Sequence, residues 1–204
     1  MATKIPDIVV GRLPKYLQAL LYLRQAGQET TSSQQLGEKV RISAAQIRKD
    51  LSLFGDFGKQ GTGYSIPFLI EQIQTILKLN RDWDTALVGA GDLGHAIIRY
   101  RGFGTSGFHI VLAFDKDPEK VGQKLGDLTI QSVDNMEEQI RAAKIQVAML
   151  TVPASEAQAT TDILVRAGVR AILNYAPITL SVPEGVHVES VEPILQLQHM
   201  TYYL

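Results

Sequence analysis

The stretch 85-TALVGAGDLG-94 decides the fold of the second half of the chain. Its first four residues predict a short buried strand, and residues 92–101 predict an amphipathic helix. Between them, Gly89, Gly91 and Gly94 have the spacing of a phosphate-binding turn, in which glycine permits a tight bend, a close backbone approach and close helix packing. Because the first N–H groups of a helix have no intrahelical partner, such a turn is suited to the pyrophosphate of a dinucleotide.

The rest of this half alternates apolar strands with amphipathic helices. This alternation predicts a doubly wound α/β domain with a mainly parallel sheet, a Rossmann domain. Strands are expected at Thr85–Val88, Ile110–Phe114, Val147–Thr151, Ala171–Leu173 and Val186–Val188, and helices near 92–101, 134–143 and 155–167. The final residues, 191–204, predict a helix with an apolar stripe that has no obvious place on such a sheet.

The second predicted strand ends in Asp115, twenty-one residues after Gly94. A carboxylate at this place accepts hydrogen bonds from both ribose hydroxyls of adenosine and repels a 2′-phosphate. The residue therefore favours NADH and NAD⁺ over the phosphorylated cofactors, although the adjacent Lys116 weakens that discrimination. The alternative is a Rossmann-like domain in which the glycines only make a tight turn.

The first half of the chain predicts three helices. Apolar residues in 12-RLPKYLQALLYLRQAG-27 recur at helical spacing, and the segment 32–41 begins with N-cap residues. A third helix is expected to begin after Ser43, which forms a capping-box pattern with Gln46. Successive positions of this helix place Ile47, Leu51 and Phe54 on one side and Ala45, Arg48, Lys49 and Ser52 on the other.

Glycines at 55, 58, 61 and 63 follow the third helix and predict a hairpin before a further helix, roughly residues 67–79, and a linker at 80-NRDWD-84. Three helices and a hairpin make a winged helix-turn-helix. The outward side chains Gln46, Arg48, Lys49 and Ser52 suit base edges and phosphates in the major groove. Lys59 of the hairpin is placed to reach phosphates or the minor groove. The alternative is a helix with a solvated basic face.

Charge and composition narrow the functional classes. Residues 1–82 hold eleven Lys and Arg against seven Asp and Glu, whereas residues 83–204 hold nine against fourteen, so an anionic partner is expected at the first half. The absence of cysteine excludes disulfides, thiolate metal sites and cysteine nucleophiles. No apolar run approaches the ~20 residues that span a bilayer, which indicates a cytoplasmic protein with no membrane partner.

Catalysis is not expected. A nicotinamide dehydrogenase needs a substrate domain and an acid–base residue beside the hydride, and little chain remains for either. The four histidines, at positions 95, 109, 187 and 199, form no evident dyad, and no metal site is expected. Without a substrate domain, the cofactor itself becomes the expected signal, and the protein would sense NADH against NAD⁺.

Five motifs together identify a family resemblance. The runs 46-QIRKDLSLFGDFGKQGTGY-64, 87-LVGAGDLG-94, 114-FDKDPEKVG-122, 151-TVPA-154 and 174-NYAP-177 resemble the Rex redox-sensing transcriptional repressors of bacteria, in the same order and over almost the whole chain. The resemblance implies a homodimer that binds palindromic operator DNA when NADH is low and is released by NADH, with the last helix swapped between subunits. The implied boundaries are 1–80 for the winged helix (helix-turn-helix about 16–55, wing about 56–66), 81–189 for the NAD(H)-binding Rossmann domain and 190–204 for the swapped helix.

The resemblance also implies site residues. It places 151-TVPA-154, 174-NYAP-177 and Tyr100 near the nicotinamide, and the apolar residues among them would favour the uncharged ring of NADH. The complete set of expected cofactor-binding residues is Gly89, Ala90, Gly91, Asp92, Leu93, Gly94, Tyr100, Asp115, Lys116, Thr151, Val152, Pro153, Asn174, Tyr175, Ala176 and Pro177. The expected DNA-binding residues are Ser43, Gln46, Arg48, Lys49, Ser52, Lys59 and Gln60.

This chain departs from the family pattern at two places. The swapped helix usually begins with an Asp followed by an aromatic residue, and those positions are Glu192 and Pro193 here. The wing usually carries an Arg where this chain has Gln60. Two other readings of the sequence remain: a small NAD-dependent oxidoreductase with an N-terminal dimerisation domain, and a regulator whose Rossmann-like domain binds a CoA-type ligand.

Overall fold

A computed structural model describes residues 5–55, 57 and 63–204 of the chain. The chain divides into two compact units, residues 1–81 and 82–204. The division falls within the stretch 80–84, where the sequence predicts a linker. Lys59 and Gln60, the expected wing residues, lie outside the described residues.

The N-terminal unit is a winged helix-turn-helix, as predicted. Its two short strands pair antiparallel, with Thr30 opposite Ser65 and Thr31 opposite Tyr64, so they bracket the helix-turn-helix in the chain. The elements described are α1 (Asp7–Val10), α2 (Leu13–Gln25), β1 (Thr30–Thr31), α3 (Ser33–Val40), α4 (Ala44–Ser52), β2 (Tyr64–Ser65) and α5 (Ile66–Ile76).

The core of this unit is a hydrophobic cluster to which α2, α3, α4 and α5 all contribute. Ile47 and Leu51 of α4 are buried in it, which confirms the predicted inner face of this helix. The outward positions Ala45, Arg48, Lys49 and Ser52 are exposed, also as predicted. Each fully buried aliphatic side chain stabilises the fold by about 1.5–3 kcal/mol relative to an exposed one. The other members that are almost completely buried are Leu13, Tyr16, Leu20, Leu23, Leu36, Ile66, Leu69 and Ile73.

The turn between α3 and α4 depends on a glycine. Helix α3 ends at Val40, the φ of its C-cap residue Arg41 is 57°, in the left-handed region, and the chain then turns into α4. A Cβ at Gly37 would overlap the carbonyl oxygen of Ile42. Only glycine therefore lets the turn pack this closely on α3.

Serine hydroxyls begin both helices of the motif. Ser32 Oγ accepts from the Gln35 N–H at 3.1 Å, and Ser43 Oγ accepts from the Gln46 N–H at 3.2 Å. The capping box predicted at Ser43 is only half formed, because the Gln46 side chain does not return to the N-cap. Its amide donates instead to Asp50 at 2.7 Å, one turn further along α4.

Asp50 is a charged residue inside the N-terminal core. Its side chain is fully buried, and Arg12 donates to both carboxylate oxygens at 2.6 and 2.7 Å. The Tyr16 hydroxyl donates a third bond at 2.6 Å. Burial alone would raise the pKa of the Asp50 carboxyl, but the hydrogen bonds from Arg12, Tyr16 and Gln46 outweigh it and hold the pKa below its usual value. The cluster fastens α4 to α2 through a paired buried charge, which is costly to break from one side.

The C-terminal unit is a seven-stranded Rossmann-type sheet with helices on both faces. The strand order is β5-β6-β4-β3-β7-β8-β9, and every neighbouring pair is parallel except β5 with β6. The elements described are β3 (Trp83–Val88), α6 (Asp92–Arg99), α7 (Gly102–Thr105), β4 (Phe108–Asp115), β5 (Lys124–Leu125), β6 (Leu128–Ser132), α8 (Met136–Ala142), β7 (Val147–Leu150), α9 (Ala154–Ala167), β8 (Ala171–Asn174), β9 (His187–Ser190) and α10 (Pro193–Thr201).

Alternating residues of β3 supply the two cores of this sheet. Ala86 and Val88 pack with residues of α8 and α9, such as Met136, whereas Leu87 packs with Ile97 of α6 on the other face. The strands that follow β3 in the chain, β4 to β6, are added on one side of it, and β7 to β9 are then added on its other side. The strand order therefore reverses between β3 and β7, and ligands of open α/β sheets bind at the carboxyl ends of strands at such a point.

The strands and helices predicted for this unit are present, whereas α7, β5 and β6 were not predicted, and neither were α1 and β1 of the N-terminal unit. Helix α7 lies in a glycine-rich segment without a helical pattern, and β5 and β6 form a hairpin too short to show alternation. Strand β3 begins at Trp83, inside the predicted linker, two residues before the expected start. Among the described residues, no helix is long and apolar enough to cross a bilayer.

Gly37→Ala is expected to destabilise the N-terminal unit by about 1–3 kcal/mol, because the added methyl must displace the Ile42 carbonyl. Urea unfolding followed by circular dichroism measures the change. Gly11→Ala is the control, since a Cβ there makes only an ordinary contact of 3.6 Å with the Asp7 carbonyl oxygen. Equal stability of the two variants would contradict this account of the turn.

Candidate functional sites

The glycine turn between β3 and α6 is packed tightly at two of its three glycines. Gly89 has a φ of 104°, and a Cβ there would lie 2.6 Å from the Thr151 carbonyl oxygen. A Cβ at Gly94 would overlap the Gly89 carbonyl. Gly91 differs, because its φ of −84° suits any residue and a Cβ would meet nothing within 4 Å. The structure of the protein therefore does not itself require glycine at 91, and the open space there leaves room for a ligand against the backbone.

A cavity of about 620 Å³ lies over the carboxyl ends of β3, β4 and β7. Nine of the expected cofactor residues line it: Gly89, Gly91, Asp92, Leu93, Asp115, Lys116, Thr151, Val152 and Pro153. The sequence interpretation missed a further nine, which are Val88, Asp117, Lys120, Val133, Met136, Glu156, Ala159, Thr160 and Ile163. One wall of the cavity is a single face of α9, formed by Glu156, Ala159, Thr160 and Ile163. Their helical spacing shows in the sequence that they share a face, but it does not show that this face lines a cavity.

The start of α6 lines this cavity and has the chemistry to hold an anion. The helix begins at Asp92, and no side chain caps its N-terminus. The first N–H groups of an uncapped helix carry a partial positive charge and are free to donate to an anion. Ala90 and Gly94, the other expected members of the turn, are buried and shape the backbone beneath it.

Asp115 is already engaged with the protein. Its Oδ2 accepts from the Ala90 N–H at 2.7 Å and its Oδ1 accepts from the Asp117 N–H at 2.9 Å, while Lys120 Nζ lies 3.3 Å from Oδ2. Burial alone would raise the pKa of the Asp115 carboxyl, but the two backbone bonds and Lys120 outweigh it and lower the pKa. The carboxylate thus stays ionised, keeps a lone pair that no described residue uses, and ties the glycine turn to the end of β4.

Two lysines partly neutralise the acidic wall of the cavity. Lys116 pairs with Glu156 of α9 at 2.8 Å, and Lys120 pairs with Asp115. Lys116 and Lys120 follow β4, whereas Val152, Pro153 and Glu156 follow β7. The ion pair between Lys116 and Glu156 therefore joins two walls of the cavity that come from different strands.

Thr151 joins β7 to the glycine turn. Its N–H donates to the Val88 carbonyl at 2.8 Å, and its hydroxyl donates to the Gly89 carbonyl at 2.7 Å. This residue holds the apolar wall formed by Val152 and Pro153 at a fixed distance from the glycine turn.

The segment 174–177 does not line the cavity in this structure. The Asn174 side chain is fully buried, and its amide donates to the carbonyls of Ala176 and Ile178, both at 3.0 Å, while its Oδ1 accepts from the Ala176 N–H at 2.9 Å. Burial raises the pKa of the Tyr175 hydroxyl, and Pro177 is exposed. Asn174 therefore shapes its own loop at the carboxyl end of β8 instead of facing a ligand.

Tyr100 also lies away from the cavity. It follows the last residue of α6 and is 64% exposed, with its ring edge-on to Phe103 at a centroid distance of 5.4 Å. The ring covers Gly102, where any Cβ would overlap it. Tyr100 lines a separate depression with Phe103, His109 and Leu128. Within one copy of the chain Tyr100 does not line the 620 Å³ cavity, and its place beside the nicotinamide stays a prediction.

The two cationic side chains on the outward face of α4, Arg48 and Lys49, differ in whether another side chain holds them. Arg48 is oriented by a bond from its Nη1 to Ser33 Oγ at 2.9 Å, whereas Lys49 extends into solvent. Ser52 Oγ donates to the Lys49 carbonyl, and Ser43 caps the helix. The positive charge thus lies on the exposed face of α4, where it suits an anionic partner.

Helix α10 has no buried residue, although its sequence is apolar. Its large hydrophobic side chains are more than half exposed and form an uncovered surface: Ile194, Leu195, Leu197 and Met200, with Tyr202, Tyr203 and Leu204 beyond the helix. An exposed apolar surface of this extent marks an interaction site.

The histidines do not gather into a catalytic or metal centre in the described parts of the chain. His109 and His187 lie near Asp82 and Glu189 at 3.4 and 3.8 Å, on exposed surface. Within residues 5–55, 57 and 63–204, no three His, Asp or Glu side chains are placed to hold a metal ion.

Comparison with known proteins supports both halves of this description. A family model described as a CoA binding domain matches residues 80–178, and one described as the N-terminus of a putative DNA-binding protein matches residues 4–52. The redox-sensing transcriptional repressor Rex of Chloroflexus aurantiacus is 53% identical over 98% of this chain and 94% of its own length.

Solved structures agree with the fold over both units. RSP, a Rex-family repressor solved in complex with β-NAD⁺ and operator DNA, matches with a TM-score of 0.92 and 39% identity over 98% of this chain and 93% of its own. The complex of RSP with β-NADH matches with a TM-score of 0.89 and 37% identity over 98% and 94%. With its winged helix, its Rossmann cavity and this degree of identity along almost its full length, the chain belongs to the Rex family of redox-sensing transcriptional repressors.

Proposed function

We propose that this protein represses transcription by binding palindromic operator DNA as a homodimer when NADH is low, and that NADH in the Rossmann cavity releases it. The observation that carries the proposal is the open space at Gly91, beside an uncapped helix start, in a chain whose other unit exposes Arg48 and Lys49 on one short helix. The ligands of RSP, which are β-NADH, β-NAD⁺ and operator DNA, support the same assignment. Such a repressor acts in the cytoplasm, where the bacterial chromosome and the NADH pool meet.

The residues of the cavity fit a dinucleotide. The N–H groups at the start of α6 would hold the pyrophosphate against Gly91, and Asp115 would accept a bond from the adenosine ribose through a lone pair that the protein leaves unused. The signal is the charge of the nicotinamide ring, which is positive in NAD⁺ and neutral in NADH. Val152 and Pro153 would exclude water from that ring and so favour the neutral form.

The nicotinamide ring would need contacts beyond those of the apolar wall formed by Val152 and Pro153. Residues 174–177 and Tyr100 are expected there from the family resemblance, and both lie outside the cavity. We propose that NADH, through closure of the two Rossmann domains of the dimer, brings these residues to the ring. Closure would change the separation of the two α4 helices, which must match half-sites one or more helical turns apart.

We propose that α10 packs against the second copy of this chain and is swapped between the two. No residue of α10 is buried within its own unit, so its apolar side chains gain by burial only against another surface. The family pattern places an aromatic residue near the start of this helix, and this chain has Pro193 there. Contact of α10 with the partner therefore depends on its aliphatic side chains.

The protein is proposed to bind its cofactor without turning it over. Oxidation of NADH by candidate carbonyl substrates at a rate above the protein-free rate would favour the oxidoreductase instead. A CoA-type ligand is the second candidate, because the matching domain model carries that description. Competition between CoA and NADH for the cavity distinguishes the two ligands, and Asp115 favours NADH through its ribose contact.

NADH and operator are expected to weaken each other's binding by the same factor, because coupling between two sites is reciprocal. Fluorescence anisotropy on a palindromic duplex, at one salt concentration, gives the operator affinity with NADH, NAD⁺ or NADPH added separately. Calorimetric titration of NADH with and without the duplex gives the other half of the cycle. Equal NADH affinities in both titrations would disprove the repressor mechanism.

Gly91→Ala is expected to weaken NADH binding by tenfold or more, on the order of a lost or strained phosphate contact. The fold should persist, because the backbone at 91 suits alanine and its Cβ meets no protein atom within 4 Å. Operator binding without NADH should be unchanged. Gly104→Ala is the matched control, since a Cβ there also has room, with His109 at 3.9 Å, and it lies outside the cavity. Unchanged NADH affinity in Gly91→Ala would place the cofactor elsewhere.

Leu197→Asp is expected to shift the protein from dimer to monomer, because a carboxylate cannot be buried in an apolar contact without a partner. Sedimentation velocity over a range of concentrations measures the shift. Gln198→Asp adds the same charge to an already polar exposed position of the same helix and should leave the dimer intact. A Leu197→Asp variant as dimeric as the wild type would remove α10 from the interface.

A further inference from the structure

The Gln46 side chain has an unusual partner for a residue in the first turn of a helix. A glutamine three residues after the N-cap commonly bonds back to the N-cap backbone, but here Nε2 donates to Asp50 Oδ1 at 2.7 Å. Gln46 remains partly exposed, in the first turn of α4. The first turn of a recognition helix is the part that contacts base edges.

Asp50 fixes the orientation of the Gln46 side-chain amide. Arg12 donates to both oxygens of Asp50 and Tyr16 donates to one, so the carboxylate is ionised and can only accept. An acceptor must face the NH₂ end of the amide, because the carbonyl end would be repelled. Within residues 5–55, 57 and 63–204, the Gln46 oxygen and its second N–H have no recorded side-chain partner and are available to a partner outside the protein.

The Gln46 oxygen and its second N–H together match the hydrogen-bonding edge of one base. An acceptor beside a donor on one planar amide matches the N6 amine and N7 of adenine in the major groove, the bidentate pairing typical of glutamine. Guanine presents two acceptors there and suits Arg or Lys instead. A glutamine free to turn over would lose this preference, since its two orientations present opposite patterns.

We propose that Gln46 reads one adenine in each operator half-site and that Asp50, held by Arg12 and Tyr16, is the positioning residue that sets its amide. This inference rests on the proposed function, in which α4 lies in the major groove. It assigns Asp50 a role in specificity although its side chain is completely buried in the free protein.

The experiment begins with selection of bound duplexes from a random library by the NADH-free protein. Each adenine of the selected half-site is then replaced by purine, which lacks the N6 amine, or by 7-deazaadenine, which lacks N7. At one position in each half-site, both replacements should lower the affinity of the wild type by about tenfold or more. Because this measurement uses unaltered protein, it does not depend on the folding of any variant.

Gln46→Ala should bind the natural and the replaced duplexes equally at that position. Gln34→Ala is the matched control, because Gln34 is an exposed glutamine of α3, bonded to Glu38 at 3.4 Å, and should keep the wild-type sensitivity. If Gln46→Ala keeps full sensitivity at every adenine while binding the selected site, the inference is overturned and the proposed function stands. If selection yields no preferred sequence at all, the proposed function itself fails.

Asp50→Asn tests the positioning role, because asparagine can donate to the Gln46 oxygen and let the amide turn over. The variant should lose discrimination between adenine and purine while keeping its salt-dependent binding to unrelated duplex. Should this variant not fold, proton exchange of the Gln46 side-chain amide in the wild type decides the point. One slowly exchanging Nε2 proton supports the bond to Asp50 in solution, and two equally fast protons would overturn the positioning role.

Discussion

The approach of the glycine turn to Thr151 is the contact on which the second unit depends. Gly89 lies so close to the Thr151 carbonyl that no side chain fits between them, and the Thr151 hydroxyl donates to the Gly89 carbonyl. Asp115 holds the same turn from the other side through the Ala90 N–H. Three parallel strands are thereby joined at their carboxyl ends, and the position of the α6 start, and with it the cavity, follows from these bonds. The ligand contacts that we propose use backbone groups whose geometry is already set by the protein.

The sequence predicted most of the fold because its signals are local. Strand β3, the glycine turn and α6 are contiguous, and the inner face of α4 follows from the spacing of Ile47 and Leu51. The hairpin of β5 and β6 was missed because strands this short show no alternation, and their pairing depends on the neighbouring β4. Local patterns identify elements, whereas short edge elements are decided by tertiary contacts.

The candidate sites show where local reasoning ends. The glycines and Asp115 were found because they belong to one motif, but Lys120 and the α9 wall reach the cavity only through the crossover connections of the sheet. Asn174 was expected beside the nicotinamide from the family resemblance, yet its side chain bonds within its own loop through both N–H groups and its oxygen. Gln46 was predicted to complete a capping box, but its side-chain amide donates to Asp50 instead. Asp50 is buried there by its contact with Arg12, which is distant in the sequence.

If α10 packs against a second copy as we propose, the stability of the protein depends on its concentration. If these side chains are buried only on association, the folded state gains free energy by mass action, and the midpoint of thermal unfolding rises as the protein is concentrated. A single copy in dilute solution exposes the apolar side chains of Ile194, Leu195, Leu197 and Met200, and is therefore prone to aggregation and proteolysis. The cell would then hold a regulator that survives mainly in its assembled form, so that its abundance and its assembly are controlled together.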